Sequence, residues 1–207
     1  MKFKITLNIN REHGNLLPFN YQYEQSAVIY RILAQADTQY ASWLHENGYQ
    51  LNGSKRFKLF CYSPFIFERV RSLPKEGCLN ITGERATWYI SFIPEKSTME
   101  FIQGIFAHQS FTIGNKEHHV AFDVVGVEAM PTPQLSEDMK LQALSPICVK
   151  LHEGTRTQYL SPDNPMFAEG ILKGLLARYE SIHGQPLEME DKEFLFELTD
   201  QRIKSKL

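Results

Sequence analysis

The chain has 207 residues, 43% hydrophobic and 22% charged, with a net charge of −2. That length supports one large or two small domains with a useful core, the composition is that of an ordinary globular protein, and no apolar run approaches the roughly 18 residues that span a bilayer. Cys61, Cys78 and Cys148 are odd in number and contain no CxxC pair, which argues against a disulfide frame or a structural zinc site and for reduced thiols in a cytoplasm.

In chain order, MKFKITLNIN alternates apolar and polar residues, so residues 2–10 read as a strand with Phe3, Ile5, Leu7 and Ile9 on one face, and not as a signal peptide. Asn20 can cap a helix running to about Ala36, with Val28, Ile29, Ile32 and Leu33 as its apolar stripe. Asp37 opens a second, short helix ending near Asn47, where Gly48 can take the left-handed position. Residues 57–62 read as a strand, and ERVRSLPKEGCLNITGERA as a turn-rich insertion with the character of a hairpin. RATWYISFI is the next strand. After Pro94 a helix to about His108 is expected to turn Met99, Ile102, Ile105 and Phe106 inward, and EHHVAFDVVGVEAM closes the unit. The order β-α-β-β-α-β is the split-βαβ pattern of a ferredoxin-like domain, assigned to residues 1–130.

MPTPQLS reads as a linker. A second unit, 137–207, starts with LSPICVKLHEG as strand and turn. Its helix has Asn164 as cap, Pro165 at the first helical position, Gly184 at the end, and a stripe of Phe167, Ile171, Leu175 and Tyr179. EFLFELTDQ reads as one more strand. Strand, helix and strand make half a ferredoxin-like domain. The fold class is therefore α+β, with tandem ferredoxin-like domains of which the second is incomplete.

Nucleotide-cradling loops, nucleophile elbows and HExxH pairs are absent from the sequence. His118 and His119 are adjacent in a strand and face opposite ways, a poor geometry for one metal. His13, His108, His152 and His183 fall at turns and element ends, where structural or surface roles are common. His45 differs in its company. It lies in the last turn of a short helix, where the carbonyl ends favour an imidazolium, as a general acid near neutral pH requires. Tyr30 lies on the preceding helix and Lys58 on the following strand, and folding both over a sheet edge would bring the three to one cleft. From Ser54 to Lys75 the cations Lys55, Arg56, Lys58, Arg69, Arg71 and Lys75 face only one acid, Glu68, and alternate with Phe57, Phe60, Tyr62, Phe65 and Phe67. Such a stripe suits single-stranded RNA, where phosphates meet cations and bases stack on rings. It also suits a half-buried strand whose rings face the core and whose charges are solvated, the commoner case for such a composition.

The segments NYQYEQSAVIYRIL, YASWLHENGY and FKLFCYSPF, in this order after the KFKITLNI strand, resemble the CRISPR-associated endoribonucleases that process precursor CRISPR RNA, members of the RAMP superfamily. The LSPICVK strand and the helix after it resemble the opening of that family's second ferredoxin-like domain. The resemblance implies a metal-independent endoribonuclease without a cofactor. It would cut the repeat by attack of a ribose 2′-hydroxyl on the adjacent phosphate, leaving 2′,3′-cyclic phosphate and 5′-hydroxyl ends. His45 would protonate the leaving oxygen, Tyr30 would orient or deprotonate the 2′-hydroxyl, and Lys58 would balance charge on the phosphorane. Tyr30 would serve as a base only if a cation such as Lys58 or Arg31 lowered its pKa. Lys55, Arg56, Arg69, Arg71 and Lys75 would bind the RNA.

The family's glycine-rich loop near the C-terminus has no counterpart, so the sequence reads either as a shortened piece or as a naturally short member. The unpaired sheet edges expected after the linker predict tight docking on the first domain or pairing with a second copy. One alternative is a non-catalytic RNA-binding member of the superfamily, holding CRISPR RNA among the subunits of a larger effector complex. Another is a generic protein-interaction module. No membrane partner is expected.

Overall fold

The structure is a computed structural model, and it describes residues 1–53, 55–136, 138–153, 156–188 and 196–197. The chain groups into two compact units, Met1–Gly48 with Lys58–Ser145, and Tyr49–Phe57 with Pro146–Leu207. Residues 49–57 thus lie inside the 1–130 span but group with the second unit. Among the described residues no helix is long and apolar enough to cross a membrane.

Strand β1 (Lys2–Asn10) buries Phe3, Ile5, Leu7 and Ile9 on one face, as its alternation requires. A short β2 (Leu16–Pro18) precedes helix α1 (Gln22–Ala36). Asn20 does not cap α1. The flanking residue is Tyr21, without a side-chain cap bond. Its ring instead stacks on Phe65 at 5.6 Å, and its hydroxyl accepts the Phe65 N–H at 3.1 Å. Core anchorage thus replaces a polar cap at this helix start. Helix α2 (Thr38–Glu46) begins as expected, with Asp37 Oδ1 accepting the Tyr40 N–H at 2.8 Å.

The strand expected over 57–62 is broken. Strands β3 (Tyr49–Leu51) and β4 (Lys55–Phe57) form a hairpin, and β5 (Phe60–Tyr62) belongs to a different sheet. Leu59 supplies the break with φ 54, in the left-handed region. Strand β6 (Ile66–Phe67) follows, and the insertion is indeed a hairpin of β7 (Val70–Leu73) and β8 (Cys78–Ile81), to which β2 adds a third strand.

Strand β9 (Arg85–Phe92) buries Ala86, Trp88, Ile90 and Phe92, and leads to helix α3 (Glu95–Ala107). The inward residues of α3 are Ser97, Phe101, Gly104 and Ile105, while Met99 and Phe106 are exposed. Gly104 rotates the stripe, because a Cβ there would sit 1.8 Å from the Ile32 carbonyl oxygen. Backbone meets backbone where α3 crosses α1. Strands β10 (Ser110–Gly114) and β11 (His119–Met130) complete the first unit.

The main sheet runs β10-β11-β1-β9-β5 with every described pairing antiparallel. Without the added edge strand β10, this is the ferredoxin-like order, in which a strand is inserted between the two ends of each βαβ crossover.

In the second unit, β12 (Val149–Glu153) pairs with β13 (Arg156–Leu160), and helix α4 (Met166–His183) follows. Asn164 Oδ1 accepts the Met166 N–H at 2.9 Å, and Gly184 ends the helix at φ 71. Val149, Leu160 and Phe167 form the buried cluster, with Leu151, Ile171 and Phe196 against it. Leu175, expected in the buried stripe, is exposed. Tyr179 stacks on His183 at 4.1 Å. The strand read in EFLFELTDQ lies, apart from Phe196 and Glu197, outside the described residues.

Candidate active site in the first unit

The local architecture of α2 places His45. At its start, Asp37 caps the helix and its Oδ2 receives Lys96 Nζ at 3.1 Å. The cap N–H of Tyr40 and the Lys96 ammonium hold the Asp37 carboxyl below its ordinary pKa. Lys96 also lies over the Tyr40 ring at 4.9 Å, and the Tyr40 hydroxyl bonds the buried Ser97 hydroxyl. The start of α2 is therefore fixed to the start of α3. At the other end Gly48, at φ 65, donates its N–H to the Trp43 carbonyl at 3.0 Å.

Lys58 closes that end. Its Nζ donates to the Leu44 carbonyl at 2.5 Å and to the His45 carbonyl at 2.6 Å. A cation on the last carbonyls of a helix satisfies orphan acceptors and complements the helix dipole. The break at Leu59 gives Lys58 this reach, because it frees the residue from the strand ladder.

The exposed His45 ring meets the half-buried Tyr30 ring edge-on, with centroids 4.9 Å apart at 85°. Phe60 on β5 packs on Tyr30 at 5.8 Å and on Tyr62 at 6.3 Å. The Tyr62 hydroxyl donates to the Gln22 carbonyl at 3.1 Å, at the first turn of α1. Burial raises the Tyr30 pKa, and the Tyr62 phenol nearby raises it further. The cation that would have lowered it is not supplied by Arg31, whose Nη2 donates to the Thr112 carbonyl. Tyr30 is thus a phenol at neutral pH, suited to donate and orient rather than to take a proton.

Tyr30, His45 and Lys58 come together within the first unit. The RNA-binding candidates divide between the two units. Lys55 and Arg56 are exposed on β4 of the second unit, whereas Arg69, Arg71 and Lys75 are exposed on or beside the β7–β8 hairpin of the first. The rings between them also divide. Phe65 is core, 4.8 Å from Phe122 and 5.5 Å from Trp88, and Phe57 lies under the Arg178 guanidinium at 5.2 Å. Phe60 and Tyr62 are the pair that reaches the site. Their spacing of two in FKLFCYS was the available signal, since it puts both on one face of a strand.

Two sequence models of one family match the chain. The model described as CRISPR-associated protein Cas6, N-terminal, covers residues 16–123, and the one described as CRISPR-associated protein Cas6, C-terminal, covers residues 130–207. The CRISPR-associated endoribonuclease Cas6 1 of Methanocaldococcus jannaschii is 29% identical over 205 residues, spanning 97% of this chain and 74% of that protein. A solved structure titled CRISPR associated protein Cas6 is similar with a TM-score of 0.66 at 26% identity, covering 91% of this chain and 74% of the other. Another, titled as a RAMP protein binding different RNA substrates, has a TM-score of 0.72 at 23% identity, covering 90% and 73%, and shares the fold.

Proposed function

We propose that this chain, which belongs to the Cas6 family of CRISPR-associated proteins, is an endoribonuclease that processes CRISPR repeat RNA with Tyr30, His45 and Lys58 as its catalytic set. The observation that carries the assignment is the edge contact of His45 and Tyr30 at 4.9 Å beside an ammonium that grips the end of the same helix. The named activity of the Methanocaldococcus relative supports the same reading.

In the proposed reaction these groups act as follows. A ribose 2′-oxygen bonds to the adjacent phosphorus and releases its proton to solvent. The P–O5′ bond breaks, and His45 gives a proton to the departing oxygen. The products are a 2′,3′-cyclic phosphate and a 5′-hydroxyl, with no metal ion in the step. Tyr30 holds the 2′-hydroxyl by hydrogen bonding. Lys58 keeps the end of α2 in place and sets positive charge beside the phosphorane. Lys55, Arg56, Arg69, Arg71 and Lys75 supply phosphate contacts.

Cleavage of a labelled repeat RNA in EDTA tests the proposal, with a second substrate carrying a 2′-deoxy nucleotide immediately 5′ of the cut. Cleavage of the first and none of the second is expected. An absolute need for magnesium, or cutting of the deoxy substrate, overturns the mechanism. Binding without cleavage selects a role in holding RNA.

A further inference from the structure

Tyr23 stands on α1 with 82% of its surface exposed, outside the proposed catalytic set. It precedes Tyr30 by about two helical turns, so the two rings project from nearly the same face of α1, roughly 10 Å apart along the axis. The positions between them on that face are Ser26 and Ala27, too small to interrupt it. Tyr62 borders the start of the same stretch, with its hydroxyl on the Gln22 carbonyl and its ring joined to Tyr30 through Phe60. The aromatic side chains of Tyr62, Phe60 and Tyr30 thus connect the start of α1 to His45.

We infer that Tyr23 is a nucleobase-stacking residue, which takes an unpaired base about two nucleotides from the scissile phosphate and thereby sets where the RNA strand lies across Tyr30 and His45. A tyrosine spends little conformational entropy on ordering its ring and offers a π-face to any base. A ring exposed to that extent is suited to that contact. The spacing of roughly 10 Å is the reach of about two splayed nucleotides, the form in which single-stranded RNA is read. This inference rests on the RNA-cleaving reading of the same site.

The test uses repeat RNA blocked by a 2′-deoxy nucleotide at the cut, with 2-aminopurine placed singly at each position within about three nucleotides on either side. One position about two nucleotides from the cut should be quenched on binding to the unaltered chain. Tyr23→Ala should abolish that quench and weaken binding about 5- to 100-fold, the usual worth of one stacked base. Tyr23→Phe should keep both, because the ring and not the hydroxyl makes the contact. On cleavable RNA, Tyr23→Ala should raise KM more than it lowers kcat. If the unaltered chain cuts repeat RNA while Tyr23→Ala leaves the quench pattern and Kd unchanged, the stacking role is overturned and the catalytic reading survives. If the unaltered chain neither binds nor cuts repeat RNA, both fall together.

Discussion

Lys58→Met keeps the aliphatic stem and removes the ammonium, and with it two hydrogen bonds to the carbonyls of Leu44 and His45. Hydrogen bonds from a charged donor contribute about 1.5–3 kcal/mol each. Because one half-exposed ammonium makes both, the low end applies, and the loss is about 3 kcal/mol. For a chain of this size that lowers Tm by roughly 6–12 °C. Locally it loosens the last turn of α2, where the amides of Asn47 and Gly48 bond the Trp43 carbonyl. Their hydrogen-exchange protection should fall about 100-fold. Cleavage should slow in parallel, since His45 rides on that turn. Exchange measured by NMR on the free protein, beside single-turnover cleavage, makes the comparison. A Lys58→Met protein that loses its rate while keeping Tm and the protection of Asn47 and Gly48 refutes the reasoning, and assigns the ammonium to the substrate alone.

His45→Ala should slow cleavage by roughly 10²–10⁴-fold with little change in repeat-RNA affinity, measured by single-turnover kinetics and titration. Tyr30→Phe should remove no limb from the pH–rate profile below about pH 10, because the raised Tyr30 pKa keeps it protonated throughout that range. Asp37 has a lowered pKa in the fold, so its contribution to stability is present above the ordinary carboxylate pKa and is lost as pH falls through the lower folded value. Thermal unfolding from about pH 5 downward should show that acid limb, and Asp37→Asn should flatten it. Gly104→Ala should destabilise the first unit by more than about 3 kcal/mol, since its Cβ meets the Ile32 carbonyl oxygen at 1.8 Å and backbone must shift. A near-unchanged denaturant midpoint would contradict that close crossing.

What was legible in the sequence is what local chemistry decides. Alternation placed β1 and β9, an aspartate placed the start of α2, and glycines placed the ends of α2 and α4. What was not legible depends on distant partners. The start of α1 is set by Phe65, more than forty residues on, which claims the Tyr21 ring and hydroxyl. The inward face of α3 is set by the carbonyl of Ile32 on another helix, which leaves Met99 and Phe106 outside. The break after Lys58 rests on a leucine in a left-handed conformation, for which residue type gives no warning. At the site, His45 announced itself by its place on a helix end. The role of Lys58 did not, because a cation in an apparent strand gives no hint that its ammonium reaches back to a helix terminus.

The hairpin Tyr49–Phe57 is an excursion from the first unit, which the chain leaves after Gly48 and re-enters at Lys58. During synthesis this hairpin leaves the ribosome long before α4, with which it groups. At ordinary elongation rates it waits roughly 5–20 s for that partner. His45, Tyr30 and Lys58 need no such wait, because every contact among them is made within the first unit. The nascent chain can therefore close its candidate catalytic set before α4 exists, with the link between Lys58 and the end of α2 serving as the knot at the loop's base. Maturation then becomes a matter of capturing that loop, and a substitution that weakens the knot would act first on the yield of folded protein.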